Sequence, residues 1–333
     1  MANERKKITM LDIAKEAAVS QSTVSRVINR RPGINETKYR KVLEAMKRLG
    51  YELPQTVEPA RKTVCLVLCP LPEQKNILEM DFNIQAQEGV QTVLGNSGAD
   101  LMLLVQPAGA ETLHLPPGKL QSISGFIFLG PVGSPELLKE LERARIPYVT
   151  AQGGTPLRFP HDCDRVCPDE FETARKICDY LEAHNRKRIG FILSRTFAHR
   201  LDGFRLETMK REKLELREND IMLLETTNNE EHIEAAYHYI RRGDLPDTLI
   251  VSHHGAAVLI RSIFKFNNIR VPEDVLIFSY AHTVEQNQLP CVLHRAYLLG
   301  YKAARRLLEK LADPDDVPGK VLIPSELINI NIT

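Results

Sequence analysis

The sequence lacks the features expected of membrane, secreted or disulfide-linked proteins. No apolar run reaches the roughly 18 residues that a transmembrane helix needs. The charged segment from Glu4 to Lys7 leads directly into a helical pattern, without the apolar core of a signal peptide. The six cysteines contain no Cys-x-x-Cys pair; Cys163 and Cys167 could form a disulfide or a zinc site, but free buried thiols are the preferred interpretation. We therefore expect a cytoplasmic protein without a structural metal.

Sequence motifs of common α/β enzymes are also missing. No Gly-x-Gly-x-x-Gly follows a predicted strand, and the chain has no phosphate-binding loop and no Gly-x-Ser-x-Gly nucleophile motif. These absences argue against an enzyme of the doubly wound class, and we expect neither catalytic residues nor a cofactor.

Charge is distributed unevenly along a nearly neutral chain. Residues 1–63 contain 14 Lys and Arg against 7 Asp and Glu, a net charge of +7. The other 270 residues contain 30 against 36, a net charge of −6. Excess positive charge confined to one end of a chain favours a polyanion such as DNA as its partner.

Residues 20–31 predict an amphipathic helix with two distinct faces. Val24, Val27 and Ile28 have the i, i+3, i+4 spacing of a buried stripe. The opposite face presents Gln21, Ser22 and Arg26, side chains suited to reading base edges in a major groove, and Ser20 is a plausible N-cap. A solvated surface helix can show the same pattern. The neighbouring segments therefore decide whether this helix is one that binds DNA.

Those neighbours predict a helix-turn-helix head over residues 1–51. A short helix over 9–17, with Leu11, Ile13, Ala14 and Ala17 available for burial, precedes a gap too short for anything except a tight turn. A third helix begins near Asn35 and ends at Gly50. Three short helices with a tight turn between the first two place the second helix in the major groove.

The run VSQSTVSRVIN at 19–29, with Leu-Gly-Tyr at 49–51, resembles the DNA-binding head of the lactose/galactose repressor family. The resemblance implies that Gln21, Ser22 and Arg26 contact bases. It places six further residues at positions that touch phosphates or brace the head: Thr9, Ser20, Thr23, Ser25, Asn29 and Tyr51. Hydroxyl side chains at helix starts could instead be caps with no contact to DNA.

The remaining residues, 64–333, predict two α/β blocks in tandem. Apolar strand-like runs alternate with helical segments, which indicates parallel sheets covered on both faces. The runs lie at 64–68, 101–105, 125–129, 147–149, 189–193, 221–224, 248–251 and 275–278. We predict a first lobe at about 64–162 and 294–322 and a second lobe at about 163–291 and 323–333. Ligands of such sheets bind beyond the carboxyl ends of the strands.

This body also resembles the family, whose core is like a periplasmic sugar-binding protein with two lobes that close on an effector. Arg200-Leu201-Asp202-Gly203-Phe204 fits the family's Arg-x-x-Gly-aromatic motif, and the resemblance implies that Arg200 binds the effector. Asp169 falls at another cleft position of the family, although an acidic residue before a helix can be an N-cap.

Two departures from the family alter the predicted pocket. The run Ser252-His253-His254-Gly255 stands where the family usually has Asn-Asp, and Ala281-His282 stands where it usually has Asp-Asp. With Arg200, His253 and His282 facing one cleft, the pocket would be short of acceptors. We therefore expect an effector that is not a simple neutral sugar and that carries a carboxylate or phosphate. The alternatives are a metal bound by histidines and a degenerate pocket that binds nothing tightly.

The connector over residues 52–63 also differs from the pattern of the family. The family has a hinge helix there whose leucine wedges into the minor groove, whereas this connector is short and contains Pro54 and Pro59. Bending of the operator by this segment is therefore in doubt.

The leading hypothesis is a sequence-specific transcriptional regulator, expected to be a repressor controlled by a small effector between the lobes. We expect a homodimer on a palindromic operator, because no heptad tail precedes Thr333 to link dimers into tetramers. The alternative is a small-solute binding protein without DNA regulation.

Overall fold

The computed structural model describes residues 8–28, 35–51, 61–71, 78, 80–132, 134–151, 163–282 and 289–328. The chain forms two compact units, a head at Met1–Arg61 and a body at Lys62–Thr333. Pro54 and Pro59 lie outside the described residues, so the interpretation of the connector stays a prediction. Across the described part of the chain, no helix is both long and apolar enough to cross a membrane.

The described part of the head contains three helices around a small apolar core. They are α1 (Met10–Glu16), α2 (Gln21–Ile28) and α3 (Glu36–Leu49). Ala18, in the turn between α1 and α2, has a φ of 52°, the left-handed conformation that such a tight reversal requires. The buried residues are Ile13, Ala14, Ala17, Val24, Val27, Val42, Ala45 and Met46. Leu11, which we expected to be available for burial, is 50% exposed because it lies on the outer side of α1.

In the first lobe of the body, the described strands form a parallel sheet of six in the order β11-β5-β4-β3-β1-β2. Its strands are β1 (Thr63–Leu68), β2 (Asp100–Val105), β3 (Gly125–Leu129), β4 (Tyr148–Ala151), β5 (Asp164–Pro168) and β11 (Lys320–Ile323). Its helices are α4 (Asp81–Ser97), α5 (Pro135–Ala144) and α10 (Ala296–Ala312). The central strands are buried on both faces, which explains their nearly continuous apolar sequences.

The second lobe repeats this architecture, with the strand order β12-β10-β9-β8-β6-β7. Its strands are β6 (Arg188–Ser194), β7 (Glu215–Leu224), β8 (Thr248–Val251), β9 (Leu276–Ala281), β10 (Cys291–Leu293) and β12 (Glu326–Ile328). Its helices are α6 (Glu170–Ala183), α7 (Arg200–Met209), α8 (Asn229–Arg242) and α9 (His254–Phe266). Only β12 runs antiparallel to its neighbour among the described strands.

One predicted lobe boundary is wrong by a strand. We placed residues from 163 onward in the second lobe, but β5 pairs with β4 and β11 in the first sheet. The sequence did not predict this strand, because Val166 and Cys167 are its only two adjacent apolar residues and they are too few to form an apolar run. The chain therefore passes between the lobes after β5, after β10 and after β11.

Helices α4 and α10 pack against each other at backbone contact distance. A Cβ added at Gly89 would lie 2.1 Å from the carbonyl oxygen of Tyr297, and one at Gly300 would lie 1.9 Å from that of Ala86. Glycine is therefore required at both positions, and the pair forms the tightly packed outer layer of the first lobe.

Gly95 offers a stability test on the same helix. It lies inside α4 with nothing within 4 Å of an added Cβ, so Gly95→Ala should stabilise the body by about 1 kcal/mol through helix propensity. Gly98 is the matched control: its φ of 70° ends the helix, so Gly98→Ala should be destabilising. Urea unfolding followed by circular dichroism measures both. Equal effects of the two substitutions on the free energy of unfolding would contradict the placement of Gly95 inside the helix and of Gly98 at its end.

Candidate functional site

The helix α2 has the two faces that its sequence predicts. Val24 and Val27 are buried in the head core, whereas Gln21, Ser22 and Arg26 are exposed. Helices α1 and α3 pack against the buried face of α2. The three side chains on its opposite face are therefore free to enter a groove of DNA. Their contact with bases stays a prediction.

The candidate backbone contacts include two residues that the structure uses as helix caps. Ser20 Oγ accepts a hydrogen bond from the amide of Thr23 at 3.2 Å, which confirms it as the N-cap of α2. Thr9 and Asp12 form a reciprocal capping box at the start of α1. Capping does not exclude phosphate contact, because the backbone amides at a helix start also attract anions.

The remaining candidates for backbone contact differ in their surroundings. Thr23 and Ser25 are half-buried on α2, and Thr23 Oγ1 shares a hydrogen bond of 2.8 Å with Ser20 Oγ. Tyr51 packs against the head core. Asn29 lies outside the described residues. The phosphate roles of all six stay predictions.

A cavity of about 620 Å³ lies between the two lobes of the body. Its wall includes residues that directly follow strands of both sheets, which is where ligands of parallel sheets bind. Those residues are Cys69, Gly130, Asp169, Ser252, His282 and His294.

Arg200, at the first residue of α7, is held rigidly beside this cavity and is only 3% exposed. Its Nε donates to Glu170 Oε1 at 3.3 Å, and its Nη1 donates to the carbonyl of Ser252 at 3.0 Å. The guanidinium also lies 3.6 Å from the ring centre of Tyr280 and 4.4 Å from that of Phe197. Within the described part of the chain its Nη2 donates no hydrogen bond, so N–H groups on that edge remain for a ligand.

Ser252 is itself fixed from behind by His232, which is fully buried. His232 Nδ1 lies 2.6 Å from the carbonyl of Asn228, so Nδ1 bears the proton. His232 Nε2, 3.0 Å from Ser252 Oγ, therefore accepts the hydroxyl proton. These hydrogen bonds fix the position of Ser252, and with it the carbonyl that accepts the hydrogen bond from Arg200.

Asp169 and His253 both line the cavity, and both are N-caps. Asp169 Oδ1 accepts from the amide of Glu172 at 2.9 Å. His253 Nδ1 accepts from the amide of Ala256 at 3.2 Å, so its Nε2 bears the proton and donates to the carbonyl of Thr227 at 3.3 Å. Both nitrogens of His253 are thus engaged, and only its ring surface is available to an effector.

His282 joins the two lobes beside the cavity. Its ring packs edge-to-face against Phe82 of α4 with centroids 4.8 Å apart. Its carbonyl accepts a hydrogen bond from Gln85 Nε2, also on α4, at 3.0 Å. Its Nδ1 is buried and has no partner in the described part of the chain.

Three residues that the sequence did not indicate also line the cavity: Glu170, Tyr280 and His294. Glu170 supplies a buried carboxylate beside Arg200, so the expectation of a pocket short of acceptors is wrong. Its Oε1 lies 3.8 Å from His294 Nε2 and 4.0 Å from His199 Nε2. No local motif marks these residues, because each contributes through contacts with distant segments: Glu170 and His294 lie where the chain crosses between the lobes, and Tyr280 lies in β9.

Burial controls the ionisation of this cluster. Burial, with Arg200 as a second cause, lowers the pKa of His199 and of His282 to about 4. Burial and the neighbouring His232 lower the pKa of His253 to about 4. Burial raises the pKa of Glu170, opposed by Arg200. The histidines are therefore neutral at pH 7.

Among the described residues, no group of three or more His, Cys, Asp or Glu side chains is arranged to hold an ion.

These features define a class of protein: a helix-turn-helix head followed by a two-lobed body with a cavity at the strand ends. Residues 9–53 match the family model "Bacterial regulatory proteins, lacI family", and residues 178–329 match "Periplasmic binding protein-like domain". Together the two models match more than half of the chain.

Similar proteins match along nearly the whole chain. Catabolite control protein A of Priestia megaterium is 25% identical, covering 95% of this chain and 96% of that protein. The complex of the transcriptional regulator CelR with cellobiose has 23% identity and a TM-score of 0.66, covering 96% and 98% of the two chains. The lac repressor dimer bound to operator and the anti-inducer ONPF has 18% identity and a TM-score of 0.68, covering 97% and 98%.

The chain belongs to the lactose/galactose repressor family. It is a DNA-binding transcriptional regulator whose body is the effector-binding domain, and the family consists of regulators rather than enzymes.

Proposed function

We propose that the chain is a homodimeric repressor that reads a palindromic operator through Gln21, Ser22 and Arg26. The observation that supports this most directly is the exposure of these three side chains on a helix whose opposite face is buried. Two heads of one dimer read the two half-sites of a palindrome. The repressor acts on chromosomal DNA in the cytoplasm.

The cavity between the lobes is the effector site in this proposal, with Arg200 as its anchor. A guanidinium fixed by Glu170 and Ser252 pays little conformational entropy when it binds a ligand. This preorganisation argues against a degenerate pocket. Effector binding would shift the dimer between arrangements that bind and do not bind the operator.

Selection of bound DNA from a random pool tests the proposed DNA recognition. We expect the full-length protein to enrich one motif made of two inverted half-sites. Gln21→Ala and Ser22→Ala should each change the base preference at one position within the half-site, because each removes one base contact. Enrichment of a single half-site would contradict the dimer, and failure to enrich any motif would contradict sequence-specific binding.

A screen of small polar metabolites by thermal shift, repeated with variants, tests the effector site. A compound that stabilises the native protein should lose this effect with Arg200→Lys, because lysine cannot reproduce the fork of donors. The matched control is Arg195→Lys, at an exposed arginine paired with Glu225. Equal responses of both variants and the native protein would place the ligand elsewhere.

A further inference from the structure

The part of the cavity around Arg200 contains polar atoms whose hydrogen bonding is incomplete. We call Arg200, Glu170, Tyr280, His282 and His294 the cavity floor. Within the described part of the chain, Glu170 Oε2, Tyr280 Oη, His282 Nδ1 and both ring nitrogens of His294 are buried without a partner. Tyr280 and His294 are each only 2% exposed. Unsatisfied buried polar atoms are costly, so their concentration at one cavity indicates a ligand.

Within the floor the charges compensate each other, and the charged residues elsewhere on the cavity wall are of both signs: Arg165 and Lys320 against Asp81, Asp169 and Asp202. Arg200 is paired with Glu170 through the hydrogen bond to Oε1, and burial keeps His282 and His294 neutral at pH 7. A ligand group with a net charge would therefore add an uncompensated charge to a buried neutral pair, which is unfavourable. An anion would face Glu170, and a cation would face Arg200.

The unpartnered atoms also require both kinds of hydrogen bond. Glu170 Oε2 can only accept, so the ligand must supply a donor. A neutral His294 has one donor nitrogen, and the Tyr280 hydroxyl can donate as well, so the ligand must also supply an acceptor.

We infer that the cavity floor recognises an uncharged ligand group that donates a hydrogen bond to Glu170 and accepts one from Tyr280 or His294. A hydroxyl pair or a carboxamide has this chemistry. The inference rests on the proposed function of the cavity as the effector site. It replaces the expectation of a carboxylate or phosphate, because Glu170 provides the acceptor that the sequence lacks at Ala281.

Three planar fragments of the same shape test the charge preference directly: acetamide, acetate and acetamidinium. Each is titrated, at matched ionic strength, into full-length protein with isotope-labelled histidines, and His282 and His294 are assigned with His282→Gln and His294→Gln. We expect acetamide to shift both signals at concentrations at least about tenfold lower than either ion, a difference of about 1.4 kcal/mol. Exposed His238, which is outside the cavity, is the internal control.

Each outcome of this titration decides the inference. Binding of acetate or acetamidinium as strongly as acetamide would overturn it, and so would the absence of any shift up to the solubility limit. The DNA selection uses none of these fragments. A protein that selects an operator but prefers acetate therefore contradicts only the inference, whereas failure of DNA selection contradicts only the proposed function.

Two isosteric substitutions test whether the Tyr280 hydroxyl serves a ligand or the fold. Tyr280→Phe removes a hydroxyl without a partner in the described structure, so the melting temperature of the free protein should stay unchanged or rise. The control is Tyr239→Phe, which removes a buried hydroxyl that donates to the carbonyl of Asp220 at 2.6 Å and should lower the melting temperature by about 2–4 °C. Tyr280→Phe should also weaken acetamide binding. A loss of stability equal to that of Tyr239→Phe would overturn the inference.

Discussion

Replacing Arg26 by alanine is expected to remove most of the sequence preference of this protein while leaving weak, salt-sensitive binding to any DNA. Arg26 is exposed on α2 and can form a bidentate contact with guanine, worth about 1–3 kcal/mol per half-site. A dimer with two heads loses about twice that amount, about 2–6 kcal/mol. The non-specific component persists because it depends on the net positive charge of the head and not on one side chain.

Gel-shift titrations measure this effect with the selected operator and with a scrambled duplex at several salt concentrations. The matched control is Arg48→Ala, at an arginine of α3 that is 72% exposed and lies 3.7 Å from Glu16. It should weaken binding to both duplexes by a similar small factor. If Arg26→Ala retains the full ratio between operator and scrambled duplex, the proposed docking of α2 is incorrect.

The head could be predicted closely because the signals that define it are local. Thr9 and Ser20 mark helix starts, Gly50 marks a helix end, and the spacing of Val24 and Val27 determines the buried face. Each of these features depends on residues within one or two helical turns. The exposure of Leu11 was not predicted, because helical spacing alone does not say how wide the buried stripe is.

The body was predicted less completely because its organisation depends on contacts between distant segments. The apolar runs identified most of the buried strands, but β5 belongs to the first sheet because it pairs with β4 on one side and with β11, more than 150 residues later, on the other. The polar sequence Asp164-Arg165 at the start of β5 gives no local sign of this pairing.

The side chains of the cavity were also predicted incompletely, because they come together from distant segments. Arg200 was identified from a motif, but Glu170 reaches it from α6 and Tyr280 reaches it from β9. His253 was predicted to face the effector, and its ring nitrogens are instead occupied by the start of α9 and by Thr227. Composition and spacing do not reveal which nitrogen of a histidine is already engaged.

The buried histidines also make the stability of the body depend strongly on pH. In the unfolded chain these imidazoles take up protons around their ordinary pKa of 6.5, whereas in the folded body His199, His253 and His282 have a pKa of about 4. The unfolded state therefore binds more protons throughout this interval. Stability is at its full value above about pH 6.5, falls as the pH decreases towards 4, and receives no further change from these groups below that value.

The expected effect is large. Three protons of difference correspond to a slope of about 4 kcal/mol per pH unit near pH 5, against a total stability of about 5–15 kcal/mol for typical domains. Glu170 acts in the opposite direction, because its raised pKa lets the folded state bind a proton at a higher pH than the unfolded state does. Its single proton does not cancel the effect of the three histidines. We therefore expect the effector-free body to unfold near pH 5.

Urea unfolding at pH 7.5, 6.5, 5.5 and 5.0, followed by far-ultraviolet circular dichroism, measures this slope. All ten histidines lie after residue 113, so the head is an internal reference in which no imidazole titrates. His253→Asn should reduce the slope by about one proton, because asparagine can replace the imidazole as the N-cap of α9 without titrating. A slope below about 1 kcal/mol per pH unit between pH 6.5 and 5.0 would show that the histidines beside Arg200 accept protons in the folded body, which would remove the basis for a neutral cavity floor.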